Sequence, residues 1–441
     1  MKKLNKLTLA ALTIFGVFFY SCQKQDDFSS EITESVKEVE TSNLIDYKGL
    51  LVNHRFETPI EDLEIRHTQD FLKHKYKSLK DSAAKRKGVT PVIYKVKLPN
   101  YKMIAEATKI VIHEFPYKLI ANNINEEIDA CTKLEKVKQN WKMIKTDFPT
   151  ITEEKIENNI ALIEEYYEKN LDYLVLKQIA ENENSLAAKI ANKTSNSITA
   201  EYSKSLCLAN VFNLLLLNGK LDYFNIPKAA FALTSVRSQP QIYAEEYYGE
   251  TNGGNNTRGD AYRHVIWNAL LANSYFTINT KGPRIAFAKA VTETYESCTG
   301  GDADSKEMDY HNNAIGRKIW SNNTSYVKLL WKNIGLNSPS TNEIKDLVRD
   351  AVNEKSCFIV KFKDENYFPN NQLLKDQTIT EIKTKIDQTN ANTIVYFNGT
   401  IAPSIYKYRS NKNNNDVYTV ENKSVKSYKK ERIEIIACYQ L

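Results

Sequence analysis

Apolar residues recur every three or four positions along most of the chain, which is the pattern of helices that bury one face. Proline residues and clusters of glycine and asparagine interrupt the pattern and separate one helix from the next. The chain is therefore predicted to be mainly α-helical. The predicted helices cover residues 62–86, 126–145, 152–170, 171–191, 207–217, 227–237, 257–272, 284–297, 306–320 and 340–352.

The pattern changes after residue 352. Short runs rich in β-branched and aromatic residues alternate there with clusters of asparagine, proline and glycine, as in strands that are joined by turns. We expect a small antiparallel β region, either packed beside the helices or forming a separate module. Its predicted strands are 357–362, 393–397, 405–408, 417–420 and 432–439, with a short helix at 378–386.

The beginning of the chain has the features of an export signal. Lys2, Lys3 and Lys6 precede an apolar run at 7–20, which is shorter than the about 20 residues that a membrane span needs. The run ends just before Cys22 and resembles the lipobox of Bacteroidetes-type surface lipoproteins, in which this cysteine is lipidated. We therefore expect Cys22 to anchor the protein to the outer membrane or cell surface; an ordinary cleaved signal peptide is the alternative. The predicted organisation is a lipoprotein signal peptide at 1–21, an acidic tether at 22–45, a helical N-terminal region at 46–199, a helical core domain at 200–351 and a β-rich region at 352–441.

Charge and cysteine content narrow the class of protein. Removal of residues 1–21 takes away three lysines and no acid, which lowers the net charge from +6 to +3. This near balance gives no support to nucleic-acid binding. The later cysteines are odd in number and include no CxxC pair, so neither a zinc knuckle nor a disulfide framework is indicated, although one or two disulfides remain open. These cysteines are Cys131, Cys207, Cys298, Cys357 and Cys438.

Candidate chemistry is concentrated on two predicted helices. On each of them, polar and aromatic residues share one arc, as the rotation of about 100° per residue requires. We expect the two arcs to face each other, with Trp267 near Gly316, because a glycine leaves room for a bulky partner. The first arc contains Asp260, Arg263, His264, Trp267 and Asn268, and the second contains Asp309, Asn312, Asn313, Gly316, Arg317 and Trp320.

The same segments carry a family resemblance. The strings D-A-Y-R-H-x-x-W-N-A-L-L, A-K-x-x-T-E-x-x-E and M-D-Y-H-N-N-A-I-G-R resemble an uncharacterised bacterial domain, DUF 6973, over roughly 200–351. In the second string, Tyr295 stands where the family has a histidine, whereas Glu296 matches the family's glutamate. The resemblance therefore implies a domain and a candidate glutamate, but no established reaction.

Two functional hypotheses remain open. The first is an enzyme that uses acid/base hydrolysis or an oxygen-rich divalent metal site, although HExxH, G-x-S-x-G and Gly-rich phosphate-loop motifs are missing from the sequence. The second is a non-enzymatic binding or scaffold protein in which the same residues form a structural polar network. The sequence identifies no cofactor, no metal and no particular protein or small-molecule partner. His311 points away from its arc and is not a candidate. The catalytic candidates are Asp260, His264, Glu296 and Asp309, and the ligand-binding candidates are Arg263, Trp267, Asn268, Asn312, Asn313 and Arg317.

Overall fold

The structure is a computed structural model that describes residues 43–91, 97–117, 130–195, 202–236, 238–252, 258–299, 303–329, 331–354, 356–362, 394–396 and 433–438. Helices account for 73% of the described residues, so the prediction of a mainly α fold is confirmed. The helices are α1 (Ile60–Glu64), α2 (Gln69–Arg86), α3 (Tyr101–Val111), α4 (Ala130–Asp147), α5 (Glu153–Ser195), α6 (Tyr202–Leu217), α7 (Ile226–Val236), α8 (Gln239–Asn252), α9 (Arg258–Ser274), α10 (Gly282–Cys298), α11 (Ala303–Asn323) and α12 (Thr341–Glu354). The predicted signal peptide, Cys22, the strands at 405–408 and 417–420 and the helix at 378–386 lie outside the described residues.

Helix α5 runs without a break through the boundary that was predicted between 170 and 171. Neither proline nor glycine occurs near that position, and the buried side chain of Asn170 donates to the Tyr166 carbonyl one turn earlier, at 2.7 Å. The backbone departs from helical geometry further on instead, at Asn182 (φ −124°, ψ 24°). A polar residue inside a helix is therefore not enough to end it when its side chain bonds within the same helix.

Two short hairpins were not predicted from the sequence. β1 (Leu44–Tyr47) pairs antiparallel with β2 (Leu50–Asn53), and β3 (Ser325–Leu329) pairs antiparallel with β4 (Lys332–Asn337). Strands of four to six residues carry too few positions to distinguish their alternation from the helical pattern around them.

The strands of the C-terminal region form a mixed sheet. β5 (Ser356–Phe362) pairs in parallel with β6 (Ile394–Tyr396) and antiparallel with β7 (Ile433–Cys438). Of the five strands predicted here, the three that lie within the described residues are confirmed, but their pairing is not purely antiparallel. Parallel neighbours need a crossover of about a dozen residues or more, and the connection at 363–393 is long enough for one.

Helix α9 lies at the centre of a group of five helices and is buried on every side. Its residues Ala261, Tyr262, Val265 and Ile266 have no exposed surface. Helices α7, α8, α10, α11 and α12 all pack against it. A helix that is buried all round has no solvent-exposed face, so its polar side chains must form hydrogen bonds inside the protein. None of the helices in the described part of the chain combines the length and apolarity that a bilayer crossing requires.

A cluster of charges around a buried ammonium, the lysine cluster of Lys228, Glu164 and Glu168, joins α5 to α7. Lys228 has no exposed side-chain surface; its Nζ contacts Glu164 and lies 2.9 Å from Glu168 and 4.6 Å from the ring of Tyr117. The Glu164 carboxylate also accepts from the Tyr117 hydroxyl at 3.0 Å and from the backbone N–H of Ile278 at 2.9 Å. Burial opposes the charged ammonium, but both glutamates outweigh it and raise the pKa of Lys228 above its ordinary value. Every charge in this cluster therefore has a partner.

Candidate functional site

Helices α9 and α11 pack directly against each other, as the two arcs predict. A Cβ placed on Gly316 would lie 2.0 Å from the carbonyl oxygen of Val265 and 2.9 Å from Asn268 Cβ. The glycine therefore makes room for the backbone of α9. The atoms nearest to that Cβ belong to Val265 and Asn268 rather than to Trp267, which we expected beside Gly316. The indole of Trp267 packs edge-on against Tyr295 of α10, with ring centroids 4.9 Å apart.

The close approach of the helices brings the four catalytic candidates into one group, which we call the site cluster: Asp260, His264, Glu296 and Asp309. His264 lies at its centre. The imidazole Nε2 is 3.1 Å from Asp309 Oδ1 and 3.5 Å from Asp260 Oδ1, and Nδ1 is 3.5 Å from Glu296 Oε1. Three carboxylates from three helices thus surround one imidazole. Arg263 adds a positive charge at the edge, where its guanidinium pairs with Asp260.

Two members of the site cluster, His264 and Asp309, have shifted pKa values. His264 is 3% exposed. Burial disfavours its imidazolium, but Asp309, Asp260 and Glu296 outweigh burial and raise the pKa of His264 to about 9. Burial also raises the pKa of the Asp309 carboxyl to about 7; His264 opposes this rise, whereas Glu296 and Asp260 add to it. Burial is thus the main cause of the shift at Asp309, whereas the neighbouring carboxylates cause the shift at His264 and only add to the one at Asp309.

Behind His264 lies an amide pair, Asn268 and Asn313. Asn313 Oδ1 is 3.3 Å from His264 Nδ1 and accepts from Asn268 Nδ2 at 2.5 Å. Asn268 Oδ1 accepts from Arg317 at 2.9 Å, and the Thr292 hydroxyl lies 3.2 Å from the same oxygen. This part of the site has complementary donors and acceptors and is as buried as the hydrophobic core.

One carboxyl oxygen in the site cluster remains without a hydrogen bond. Among the described residues, Asp309 Oδ1 is buried and has no partner in hydrogen-bonding geometry, although it lies 3.1 Å from His264 Nε2. One ligand atom each from Asp260, His264 and Asp309 can be chosen so that all three lie within 4.8 Å of one another. Such a group can hold a proton, a metal ion or a reacting water molecule.

The ligand-binding candidates divide into three groups. Arg263 touches the site cluster, while Asn268, Asn313 and Arg317 form the layer behind it. Trp267 packs on Tyr295 and takes no part in the polar contacts described, and Asn312 is fully buried on α11. The side chain of His311 lies outside the description.

Two further residues join the site without having been selected from the sequence. Thr292 lies one helical turn before Glu296, so its spacing on α10 carried a usable signal. Gln241 accepts from Arg263 at 3.2 Å, but it belongs to α8, and nothing in its local pattern indicates this contact. Residues of this second kind are found only once the helices have been placed.

Comparison with known proteins identifies a matching family whose function is unknown. Residues 223–354 match the family described as Domain of unknown function (DUF6973). Neither a curated protein nor a solved structure matches the chain. The matched segment begins and ends somewhat later than the predicted core domain and contains the whole site cluster and the amide pair. The chain therefore carries a DUF6973 domain, and helices α9, α10 and α11 of that domain supply the candidate site.

Proposed function

We propose that this chain is an exported bacterial lipoprotein whose DUF6973 domain is a hydrolase, with the site cluster as its active site. The observation that carries the proposal is the imbalance of charge and hydrogen bonding in that cluster. Among the described side chains, three carboxylates meet one imidazole and one guanidinium, and a buried oxygen of Asp309 has no hydrogen-bond partner. Native proteins satisfy nearly all buried polar groups, so an unsatisfied carboxylate oxygen needs an explanation. A reaction site is the explanation that also accounts for the shifted pKa values of His264 and Asp309.

The two arginines of the site differ in what they offer a substrate. Arg317 is buried and already donates to Asn268. Arg263 retains 19% of its side-chain surface and lies at the edge of the cluster. Arg263 is therefore the group that would meet an anionic part of a substrate, while the carboxylates would accept the proton of the attacking water.

The alternative is a binding or scaffold protein in which the polar residues only fix the packing of the helices. The amide pair favours this alternative, because its donors and acceptors are matched and its members are fully enclosed. The hydrolase proposal rests on the half of the site that lacks this match. The two functions predict different responses to removal of one charged group.

The full chain should be compared with its His264→Ala and Asp309→Asn variants, in denaturant melts and against chromogenic esters, phosphate esters, glycosides and peptides. For an active site, we expect hydrolysis of at least one class to be lost while the free energy of unfolding changes by less than about 1 kcal/mol. For a structural network, both variants should lose about 3–5 kcal/mol of stability, because a buried partner is left unpaired.

Asp346→Asn is the matched control, since it makes the same chemical change at a side chain that is 57% exposed on α12. This variant should melt and hydrolyse like the original protein. If both site variants unfold easily and the original chain hydrolyses none of the compounds, the domain is a scaffold and the hydrolase proposal is wrong.

Export and anchoring rest on the basic start, the short apolar run and Cys22. A disulfide at Cys298 supports an oxidising compartment. We expect the protein to enter the detergent phase when cells are extracted and phase-separated, and the Cys22→Ala variant to remain in the aqueous phase. Equal partitioning of the two proteins would mean that Cys22 is not the anchor.

A further inference from the structure

The amide pair fixes which nitrogen of His264 carries a proton. Asn268 has only one consistent orientation, because its oxygen faces the guanidinium of Arg317, which has no acceptor. Its nitrogen faces the backbone carbonyl of His264 at 3.1 Å, which has no donor. The orientation is thus determined independently at both ends of the amide.

The next amide follows from the first. Asn268 Nδ2 donates to Asn313, so the Asn313 group that faces it must be the oxygen. The nitrogen of Asn313 then lies 3.4 Å from the Glu296 carboxylate, which is again an acceptor. The same Asn313 oxygen faces His264 Nδ1, so Nδ1 must carry the hydrogen. In the neutral imidazole, the lone pair is therefore on Nε2.

Nε2 and the two aspartates have the spacing of metal ligands. Its lone pair faces Asp309 Oδ1 at 3.1 Å and Asp260 Oδ1 at 3.5 Å. Ligand atoms about 2.1 Å from one ion lie about 3.0 Å apart in octahedral geometry and about 3.4 Å apart in tetrahedral geometry. When the imidazole is neutral, these three electron-rich atoms repel one another at such distances unless a cation lies between them. In the absence of an ion, a proton on Nε2 relieves that repulsion, so an ion that binds here must displace the proton.

We propose that Asp260, His264 and Asp309 bind one divalent transition-metal ion through Oδ1, Nε2 and Oδ1. One imidazole and two carboxylates suit Mn²⁺, Fe²⁺ or Zn²⁺ better than Mg²⁺ or Ca²⁺, which prefer oxygen ligands. Three protein ligands leave coordination positions for water and substrate, as in catalytic rather than structural sites. The proposal refines the hydrolytic site proposed above and rests on it for the catalytic role of the ion.

The groups around His264 match those that hydrogen-bond to the ligands in known metal sites. A metal-bound histidine nearly always donates its other N–H to a carboxylate or a carbonyl oxygen, which fixes the ring. Here Asn313 Oδ1 and Glu296 Oε1 occupy that position on the Nδ1 side. A doubly charged ion would also balance the charges, because the three carboxylates and Arg263 then sum to zero with a neutral imidazole.

Arg263 is the group that competes with the ion. Its guanidinium contacts Asp260 Oδ1 and lies 3.5 Å from His264 Nε2. Because the side chain is partly exposed and also reaches Gln241, it can move outward along the surface while its stem stays packed. Replacement by a neutral side chain should therefore strengthen metal binding.

The test uses the full chain, stripped with a chelator and titrated with MnCl₂ or ZnCl₂ in a calorimeter, with MgCl₂ as a comparison. We expect one equivalent of Mn²⁺ or Zn²⁺ to bind, and affinity to fall at least 100-fold in His264→Gln and Asp309→Asn. Arg263→Gln should bind more tightly than the original chain, and Asp346→Asn should bind equally well. Circular dichroism of each metal-free variant shows whether it is folded.

The metal proposal is wrong if the original chain binds neither ion at millimolar concentration, or if folded His264→Gln and Asp309→Asn variants bind like the original. Weaker binding by Arg263→Gln would also contradict it. These outcomes are separable from the hydrolase proposal. Stoichiometric binding without hydrolysis of any compound class would leave the metal site standing and remove the enzymatic role. Hydrolysis that survives the chelator would leave the enzymatic role standing and show that the reaction needs no bound metal.

Discussion

The lysine cluster and the site cluster are both groups of charges that join helices around a buried side chain, yet they are built differently. In the lysine cluster, one ammonium serves two glutamates, and the Glu164 carboxylate has three donors around it. In the site cluster, three carboxylates surround one imidazole at 3.1 to 3.5 Å, and an oxygen of Asp309 has no hydrogen bond within the described structure. The first group is complete as it stands, whereas the second leaves a buried carboxylate oxygen without a hydrogen-bond donor.

This difference separates a structural ion cluster from a candidate site better than burial does, since Lys228 and His264, the central side chains of the two groups, are both buried. A paired and hydrogen-bonded charge holds helices together and loses that function when one partner is removed. A crowded group of like charges stores unfavourable energy that a ligand can relieve. The following substitutions compare the two clusters, from the largest expected effect to the smallest.

Lys228→Met should have the largest effect on stability. Removal of the ammonium leaves Glu164 and Glu168 without their common partner between α5 and α7, so we expect a loss of about 3–5 kcal/mol in the free energy of unfolding. Lys48→Met is the control, because Lys48 also pairs with a glutamate of α5 but is 46% exposed. Urea melts measure both. Equal free energies of unfolding for the two variants would show that the lysine cluster does not stabilise the packing of α5 against α7.

Gly316→Ala should have the next largest effect, because the added Cβ would overlap the Val265 carbonyl and push α11 away from α9. We expect a loss of about 1–3 kcal/mol from overpacking, despite the better helix propensity of alanine. At Gly282, on α10, a Cβ meets no described atom within 4 Å, so Gly282→Ala provides the matched control. Thermal melts of the two variants and the original protein measure this loss. A stable Gly316→Ala variant would contradict the close approach that forms the site cluster.

Asn268→Asp should change metal affinity more than stability. One carboxylate oxygen would still face Arg317, but the other would face Asn313 Oδ1 and the His264 carbonyl, which are both acceptors. Asn313 would then have to turn its nitrogen inward, and Nδ1 of His264 would lose the nearer of its two acceptors and keep only Glu296. Replacement of a group that orients a metal ligand through hydrogen bonds weakens metal binding about 10- to 100-fold, or about 1.4–2.7 kcal/mol.

The calorimetric titration of metal-free protein measures this effect, and Asn322→Asp, at an exposed position of α11, is the control for the added charge. If the two variants bind Mn²⁺ equally well, the amide pair does not set the state of His264. A folded Asn268→Asp variant that binds more tightly than the original would reverse the assignment of the tautomer.

The sequence by itself determined which residues share a helical face. Asp260, His264 and Asn268 follow one another at intervals of four, as do Asp309, Asn313 and Arg317 on the partner helix. The rotation per residue in a helix is a local property, so these two rows could be predicted before the helices were placed. The mainly α fold followed from the same periodicity.

Contacts between elements were decided by the tertiary structure. The position of Gly316 against the Val265 carbonyl, the packing of Trp267 on Tyr295 and the contact of Gln241 with Arg263 join residues far apart in sequence. Such contacts depend on how whole helices fill the space around α9, and no spacing along the chain encodes that. The proton on His264 Nδ1 is decided in the same way, because it is fixed by Arg317, 53 positions later in the printed sequence, acting through Asn268 and Asn313.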